Sequence, residues 1–398
     1  MPEQALSHLK VVDLTHYIAG PFCTKLMAGF GADVIKVEKP RSGDGLRQVG
    51  PYSKGTTDLE SSIPFLWLNT AKRSITVNLA TEGGHEIIAR LVRNADVLIE
   101  NFSPGVMASF GLSFDFLHEI NPRLVMTSIS NFGQIGPYRD YEAEEITEYA
   151  MSGLMQLTGH PDRPPLCSGP AMTQYTAGIQ AYFATMLAIW HRGVTGIGQH
   201  ADISIQESSL DNIEIALTEY LHTGKIANRT GDEHPLVPWK LYPCKDGFAT
   251  IIGGPMRHWL GAATLFEEPR LLEPRLHHMA DRMKHRREVE DYLQPWITNH
   301  TKQEIYEAGQ KRKLAFSYLA AAHEVLQSPQ HEAREFFVEI AHPHSGTQRY
   351  CGPPFRPSVT SWRSDRAPLL GEHTEEIMIG SLGYTQDDVL RFRSQGTI

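Results

Sequence analysis

The sequence predicts an α/β protein built around a mostly parallel, doubly wound sheet. Three observations predict it. The stretch from Leu9 to Pro40 reads strand, turn, helix, strand, the parallel unit from which such sheets are assembled. Strand-like and helix-like segments then continue to alternate as far as Ser130. At 398 residues and 41% apolar composition, the chain is long enough for two domains, or for one large domain with an insertion, around a sizeable core.

The elements follow in order. Lys10–Leu14 is an apolar run suited to a buried strand, and Ala19, Gly20 and Pro21 break it, with Pro21 suited to the first helical position. Cys23, Leu26 and Met27 keep helical spacing, and Gly29 and Gly31 can take a left-handed cap. Asp33–Val37 is the second strand. Glu38 closes it with the acidic residue of a dinucleotide site, but Gly20 alone precedes Pro21 in the first turn, so the G-x-G-x-x-G fingerprint is missing. Residues 41–63 read as a long surface loop. Ser74–Leu79 reads as a strand, Thr81 as the cap of a helix running to Val92, Ala95–Glu100 as a strand, and Leu124–Ser130 as another. Ligands of open parallel sheets sit beyond the carboxyl ends of strands, which makes Asn101 and the amides after it candidate contacts. Glu142, Glu144, Glu145 and Glu148 cluster before the turn at Met151-Ser152-Gly153 and suit an exposed helix start. Thr173–Arg192 is a long apolar helix, expected to be buried. Asp202–Ile205 reads as a strand, Glu207–His222 as a helix, residues 223–238 as a polar linker, and Phe248–Ile252 as a strand followed by Gly253 and Gly254. From Trp259 to Leu326 the pattern is mostly helical. The basic run Arg282–Arg287 reads as a solvated face, and Thr385 caps a closing helix to Phe392.

Composition excludes several classes. A net charge of -9 and a pI near 6.1 give no footprint for nucleic acid or an anionic membrane surface. No apolar run approaches the roughly 18 residues of a membrane helix, and the first ten residues lack a signal-peptide pattern, so a cytoplasmic location is expected. Cys23, Cys167, Cys244 and Cys351 lie far apart and form no C-x-x-C pair, so neither a metal site nor a disulfide framework is indicated.

Taken together, these stretches resemble the class III (CaiB/BaiF-type) coenzyme A transferases over nearly the whole chain. The resemblance rests on Asp13-Leu14-Thr15 with Ala19-Gly20-Pro21, on Gly31 to Glu38, on Asn69 with Lys72-Arg73-Ser74, on Ala95 to Gly105, and on Gly133 to Pro137. Met151 to Leu154, Thr195 to Gln199 and Pro368 to Thr374 extend it. It implies a Rossmann-like large domain and a smaller α+β domain, divided as residues 1–222, 223–330 and a return over 331–398, in two subunits threaded like links of a chain. It also implies coenzyme A or acyl-CoA as a substrate, no metal, and a CoA site formed by Tyr17, Ile18, Lys39, Lys72, Arg73, Asn101 and Phe102, with Lys39 and Arg73 able to meet phosphates by charge.

One departure governs the chemistry. Family transferases carry an aspartate before the long helix, which attacks the acyl-CoA thioester and gives a mixed anhydride and then an enzyme-bound CoA thioester. The matching residue here is Gln174, a neutral amide and a very poor nucleophile. Ile18 also stands where formyl-CoA transferase has a glutamine. Glu145 matches an acidic residue near the family's active carboxylate, with Glu144 beside it; racemases of this fold have His and Asp at these two positions and use the aspartate missing here. Three readings follow. In the favoured one the chain is one subunit of a heteromer whose related partner supplies the aspartate, as in the two-chain transferases that act on aromatic succinates such as benzylsuccinate, with succinyl-CoA as donor. In the second it is a homodimeric transferase, racemase or lyase using Glu144 or Glu145. In the third it is a non-catalytic CoA-binding or assembly protein. Phe65, Trp67, Tyr138, Tyr141 and Tyr175 are candidates for an aromatic-acid pocket or for plain core, and Gly253, Gly254 and Arg257 fall near a glycine loop that covers the formyl-CoA transferase site.

Overall fold

The computed structural model describes residues 4–55, 57–234 and 236–398. Residues 1–3 of the expected first domain, 56 of the expected loop and 235 of the expected linker lie outside the described residues. The chain divides into two units, one formed by Met1–Met155, Cys167–Gly224 and Glu332–Ile398, the other by Gln156–Leu166 and Lys225–His331.

The first unit is built on a six-stranded sheet in the order β3-β2-β1-β4-β5-β6. The strands are β1 (Lys10–Asp13), β2 (Asp33–Glu38), β3 (Arg73–Thr76), β4 (Val97–Glu100), β5 (Val125–Ser130) and β6 (His200–Ser204). Every pairing is parallel, with Val12 opposite both Ile35 and Leu98. This is the doubly wound Rossmann order, and its direction reverses between β1 and β4. Burial on both faces explains why these strands read as continuous apolar runs. One face packs on α2 (Glu82–Arg93) and the closing helix Gln386–Ser394 through Ile87, Leu91, Val389 and Phe392. The other packs on α1 (Ala19–Gly29) and the long helix Met172–Thr195 through Cys23, Met27, Ala177 and Ala181. Thr81 caps α2 as expected, its Oγ1 accepting from Gly84 N at 3.0 Å. Helix α1 begins at Ala19, two residues ahead of Pro21, so the proline sits inside the first turn, where no intrahelical donor is lost.

Two helices shape the rest of this unit: α3 (Glu145–Met151) and α4 (Met172–Thr195). The expectation that α4 is buried is corrected. Its inward face is made of small or polar residues, Thr173, Ala177, Gly178, Ala181, Thr185 and Ala188. A stripe of its large apolar residues points outward, with Trp190 77% and Val194 79% exposed, while Tyr182, Met186 and Ile189 pack partly buried against the core. The helix expected over 207–222 is split by a 3-10 turn at Asp211–Ile213, leaving Ile205–Leu210 and α5 (Glu214–Thr223).

The second unit has its own core. A three-stranded antiparallel sheet, β7 (Trp239–Cys244), β8 (Gly247–Ile252) and β9 (Ser317–Tyr318), packs on α6 (Met256–Leu265) and α7 (Arg286–Asn299) around Tyr242, Trp259 and Leu293. Arg282 was expected on a solvated face and is fully buried instead. Its guanidinium lies 4.6 Å from the Trp259 ring and donates to the carbonyls of Val237, Gly254, Leu276 and His277 at 2.7–3.0 Å. No sequence pattern announces four main-chain carbonyls converging from separate turns.

Candidate active site

A cleft of about 460 Å³ opens in the first unit beyond the carboxyl ends of β1, β4 and β5. It lies at the switch point where a doubly wound sheet binds its ligands. Tyr17 and Ile18 reach it from the loop after β1, Asn101 and Phe102 from the loop after β4, Glu144 and Glu145 from the start of α3, and Gln174 from the first turn of α4.

A buried ionic network holds the loop after β1. Asp13, with no exposure, accepts from Thr15 N at 2.9 Å, Thr24 Oγ1 at 2.7 Å and Lys72 Nζ at 3.0 Å. Burial alone would push the Asp13 carboxyl up; the charges of Lys72 and Lys36 outweigh it and hold the group well below the usual carboxylate range. Lys36 pairs with Asp44 at 2.8 Å, and Asp44 accepts from Tyr17 N at 3.0 Å. Tyr17 takes a φ of +62°, a left-handed conformation that this web of bonds fixes while leaving its ring 54% exposed on the cleft. Asn101 ties the two loops together, accepting from His16 N at 2.7 Å and donating to His16 O at 2.9 Å. Its amide therefore sets the shape of the cleft mouth.

Three of the residues expected at a CoA site, Lys72, Arg73 and Lys39, do not line this cleft. Lys72 is buried and also bonds Asn69 Oδ1 at 2.8 Å and Pro21 O at 3.1 Å; burial pulls its pKa down to about 8, against the attraction of Asp13. Arg73 pairs with Asp33 at 2.6 Å and Glu376 at 3.0 Å. Lys39 is exposed and lines a separate depression with Arg41 and Arg393. The expected aromatic set also divides. Phe65, Trp67 and Tyr175 pack in a cluster with Phe22, whereas Tyr141 lines the cleft and stacks on Tyr138 with ring centres 5.1 Å apart.

The floor of the cleft is where the chemistry is decided. Gln174 is half-buried, and its Nε2 donates to Glu148 at 2.8 Å. Glu148, one turn behind Glu144 on α3, is fully buried. Burial pushes its pKa up to about 7, with the charges of Glu145 and Glu144 adding to the rise and the bonds from Gln174 and Thr173 opposing it. Thr173 Oγ1 lies 3.0 Å from Glu148 and also bonds Glu145, whose other oxygen accepts from Thr173 N at 3.1 Å. One hydroxyl proton cannot serve two carboxylates, so this set is fully satisfied only when one carboxyl is protonated. The sequence places Glu148 within the acidic cluster, but its burial under α4 is a tertiary fact. Glu145 is committed to the helix start, and Glu144 faces the cleft exposed. Among the lining residues Asp140, Glu142, Glu144 and Glu145 are acidic and Arg139 is the one cation. Among the described residues, no group of three or more His, Cys, Asp or Glu is arranged to hold a metal.

Comparison with known proteins gives the family. A family model described as CoA-transferase family III matches residues 6–374. Succinyl-CoA–D-citramalate CoA-transferase of Chloroflexus aurantiacus is 34% identical, covering 100% of this chain and 99% of its own length. Succinyl-CoA:(R)-benzylsuccinate CoA-transferase subunit BbsE of Thauera aromatica is 31% identical over 98% of this chain and 97% of its own. The crystal structure of a CaiB/BaiF family protein from Brucella suis superposes with a TM-score of 0.85 at 31% identity, covering 95% of this chain and 99% of that one. The chain belongs to CoA-transferase family III, an enzyme family whose members act on acyl-CoA thioesters.

Proposed function

We propose that this chain is the subunit of a two-chain coenzyme A transferase that lacks the nucleophile. A related chain, interlocked with it, supplies the aspartate. Together they move CoA from a dicarboxylyl-CoA such as succinyl-CoA to a carboxylic acid, an aromatic succinate being the most specific assignment. One observation carries this reading: the side chain presented by the first turn of α4 to the cleft is the Gln174 amide, hydrogen-bonded to a carboxyl behind it. CoA transfer through a mixed anhydride needs a carboxylate oxygen to attack the acyl carbon as the C–S bond breaks and the CoA thiolate leaves. An amide's electrons are delocalised, and Gln174 cannot take that step. The likeness to a transferase subunit of Thauera aromatica supports a heteromer, and the outward apolar face of α4 supports a partner covering it. Tyr17, Ile18, Asn101 and Phe102 frame the thioester end of CoA in this reading, and the depression with Lys39 and Arg41 is the cationic surface for its phosphates. Lys72 and Arg73 act through the loops they fasten. Arg139 meets the carboxylate of the acid.

The test is CoA transfer from succinyl-CoA to benzylsuccinate by the purified chain, alone and co-expressed with its neighbouring homologue. Transfer only by the pair is expected, and full transfer by the chain alone overturns the reading. The exposed, cleft-facing Glu144 favours the homodimeric alternative in that event, and loss of the lone-chain activity in Glu144→Gln identifies it.

A further inference from the structure

The geometry points to Glu148 as the residue that keeps position 174 an amide, with the two positions exchangeable as a pair. This rests on the reading above, in which position 174 is the vacated nucleophile position, and adds a cause for the vacancy.

Glu148 is fully buried beneath the first turn of α4. It accepts from Gln174 Nε2 at 2.8 Å and lies 3.0 Å from the Thr173 hydroxyl. Asn131, oriented so that both of its amide atoms find partners, donates to the second Glu148 oxygen at 3.1 Å. The charged groups acting most strongly on Glu148 are Glu145 and Glu144, both acidic, one in the first turn of its own helix and the other at that helix's cap; α4 and the segment after β5 contribute the neutral Thr173, Gln174 and Asn131. A carboxylate at position 174 would add a further negative charge beside Glu148. Two carboxyls this close share a proton, and while that proton sits at position 174 the aspartate is no nucleophile. The amide of Gln174 removes that conflict by donating to Glu148. The contact also works in reverse: with a carboxylate at position 174 and an amide at position 148, the amide nitrogen takes the place of the oxygen that Gln174 and Thr173 share and donates to that carboxylate, while its carbonyl accepts from Asn131.

Three full-length variants test this: E148Q, Q174D and the double exchange E148Q/Q174D. Thermal melts at pH 5 and pH 8 read the charge conflict without depending on activity. Q174D is expected to lose more melting temperature at pH 8 than at pH 5 relative to wild type, and E148Q added to it is expected to abolish that extra loss. Incubation with succinyl-CoA followed by mass spectrometry of the peptide carrying position 174 reads nucleophilicity. In the productive step an oxygen of the carboxylate introduced by Q174D bonds to the succinyl carbon and the CoA thiolate departs. The thiolate then attacks the carbonyl of that same side chain, releasing succinate and leaving CoA bound at position 174. The double exchange is expected to carry at least about tenfold more adduct than Q174D, the ratio for one pKa unit of difference between the two carboxyls. Equal adduct in both variants, adduct in neither, or a Q174D melt indifferent to pH and to E148Q overturns the pairing. Transfer by the wild-type chain alone overturns the nucleophile-lacking reading and leaves the melts unaltered, so the two failures are told apart.

Discussion

Glu148 and Lys72 are both buried ionisable side chains, and their neighbours give them opposite consequences. Lys72 has Asp13 at 3.0 Å and stays in a closed network, which makes it a fastener of the β1 loop. Glu148 has no cation among its strongest neighbours, and burial raises it from 4.5 to about 7. A carboxyl whose folded pKa lies above its unfolded value binds more protons when folded. Its stabilising effect is present at low pH and is lost as pH rises from about 4.5 to about 7. The wild-type chain should therefore lose up to about 3 kcal/mol across that window relative to Glu148→Gln, an upper figure from about 1.4 kcal/mol per pKa unit. Denaturant melts of the two proteins at several pH values measure it, and parallel curves would show that Glu148 is not strained by its burial. Much at this scale was legible in the sequence and part was not. Gln174, Tyr17, Ile18, Asn101, Phe102, Glu144 and Glu145 reach one cleft because each is fixed by its place after a strand or at a helix start. The burial of Glu148 and the closed pairing of Lys72 depend on partners 26 and 59 residues away, which no local pattern encodes.

Helix α4 shows the same division one level up. Its existence follows from a long run without proline, and the helix spans Met172–Thr195. Its orientation does not follow from hydrophobicity, because both faces are rich in apolar residues. Close approach decides it. A Cβ on Gly178 would stand 2.6 Å from Ala19 O, so only a face of small side chains can sit this near α1. Ile179, Phe183, Leu187, Trp190 and Val194 are thereby turned outward as a stripe at helical spacing. A stripe of that kind marks an interaction surface in a chain whose core is already complete. Phe183→Glu, at a residue 59% exposed, should leave the stability of the isolated chain within about 0.5 kcal/mol of wild type while abolishing association with the proposed partner chain. Light scattering of the co-expressed pair reads the association, and a full-mass complex formed by the variant would remove α4 from the interface.

At the scale of the whole molecule, the strand order and the division of the chain carry the function together. Reversal of the order between β1 and β4 brings the loops after both strands to one crevice, and the chain returns after residue 331 to complete the first unit with the closing helix. The second unit is built from two separate stretches of chain and shares no core residue with the first: Tyr242, Trp259, Leu293 and their neighbours form a cluster of their own. Arg282 is the test of that independence. Its guanidinium stays charged in the core, burial lowering its pKa only to about 10, and it donates to four main-chain carbonyls. Arg282→Ala strips those carbonyls and the contact with Trp259 together, a loss on the order of 3 kcal/mol or more. If the two cores are separate, that loss stays local. Hydrogen exchange should accelerate across β7, β8, α6 and α7, while the amides of β1, β4 and β5 keep their protection and the CoA binding proposed for the first unit is unchanged by calorimetry. Loss of protection throughout the six-stranded sheet would instead make the two cores one cooperative structure, and the cleft could then not be treated as the property of the first unit alone.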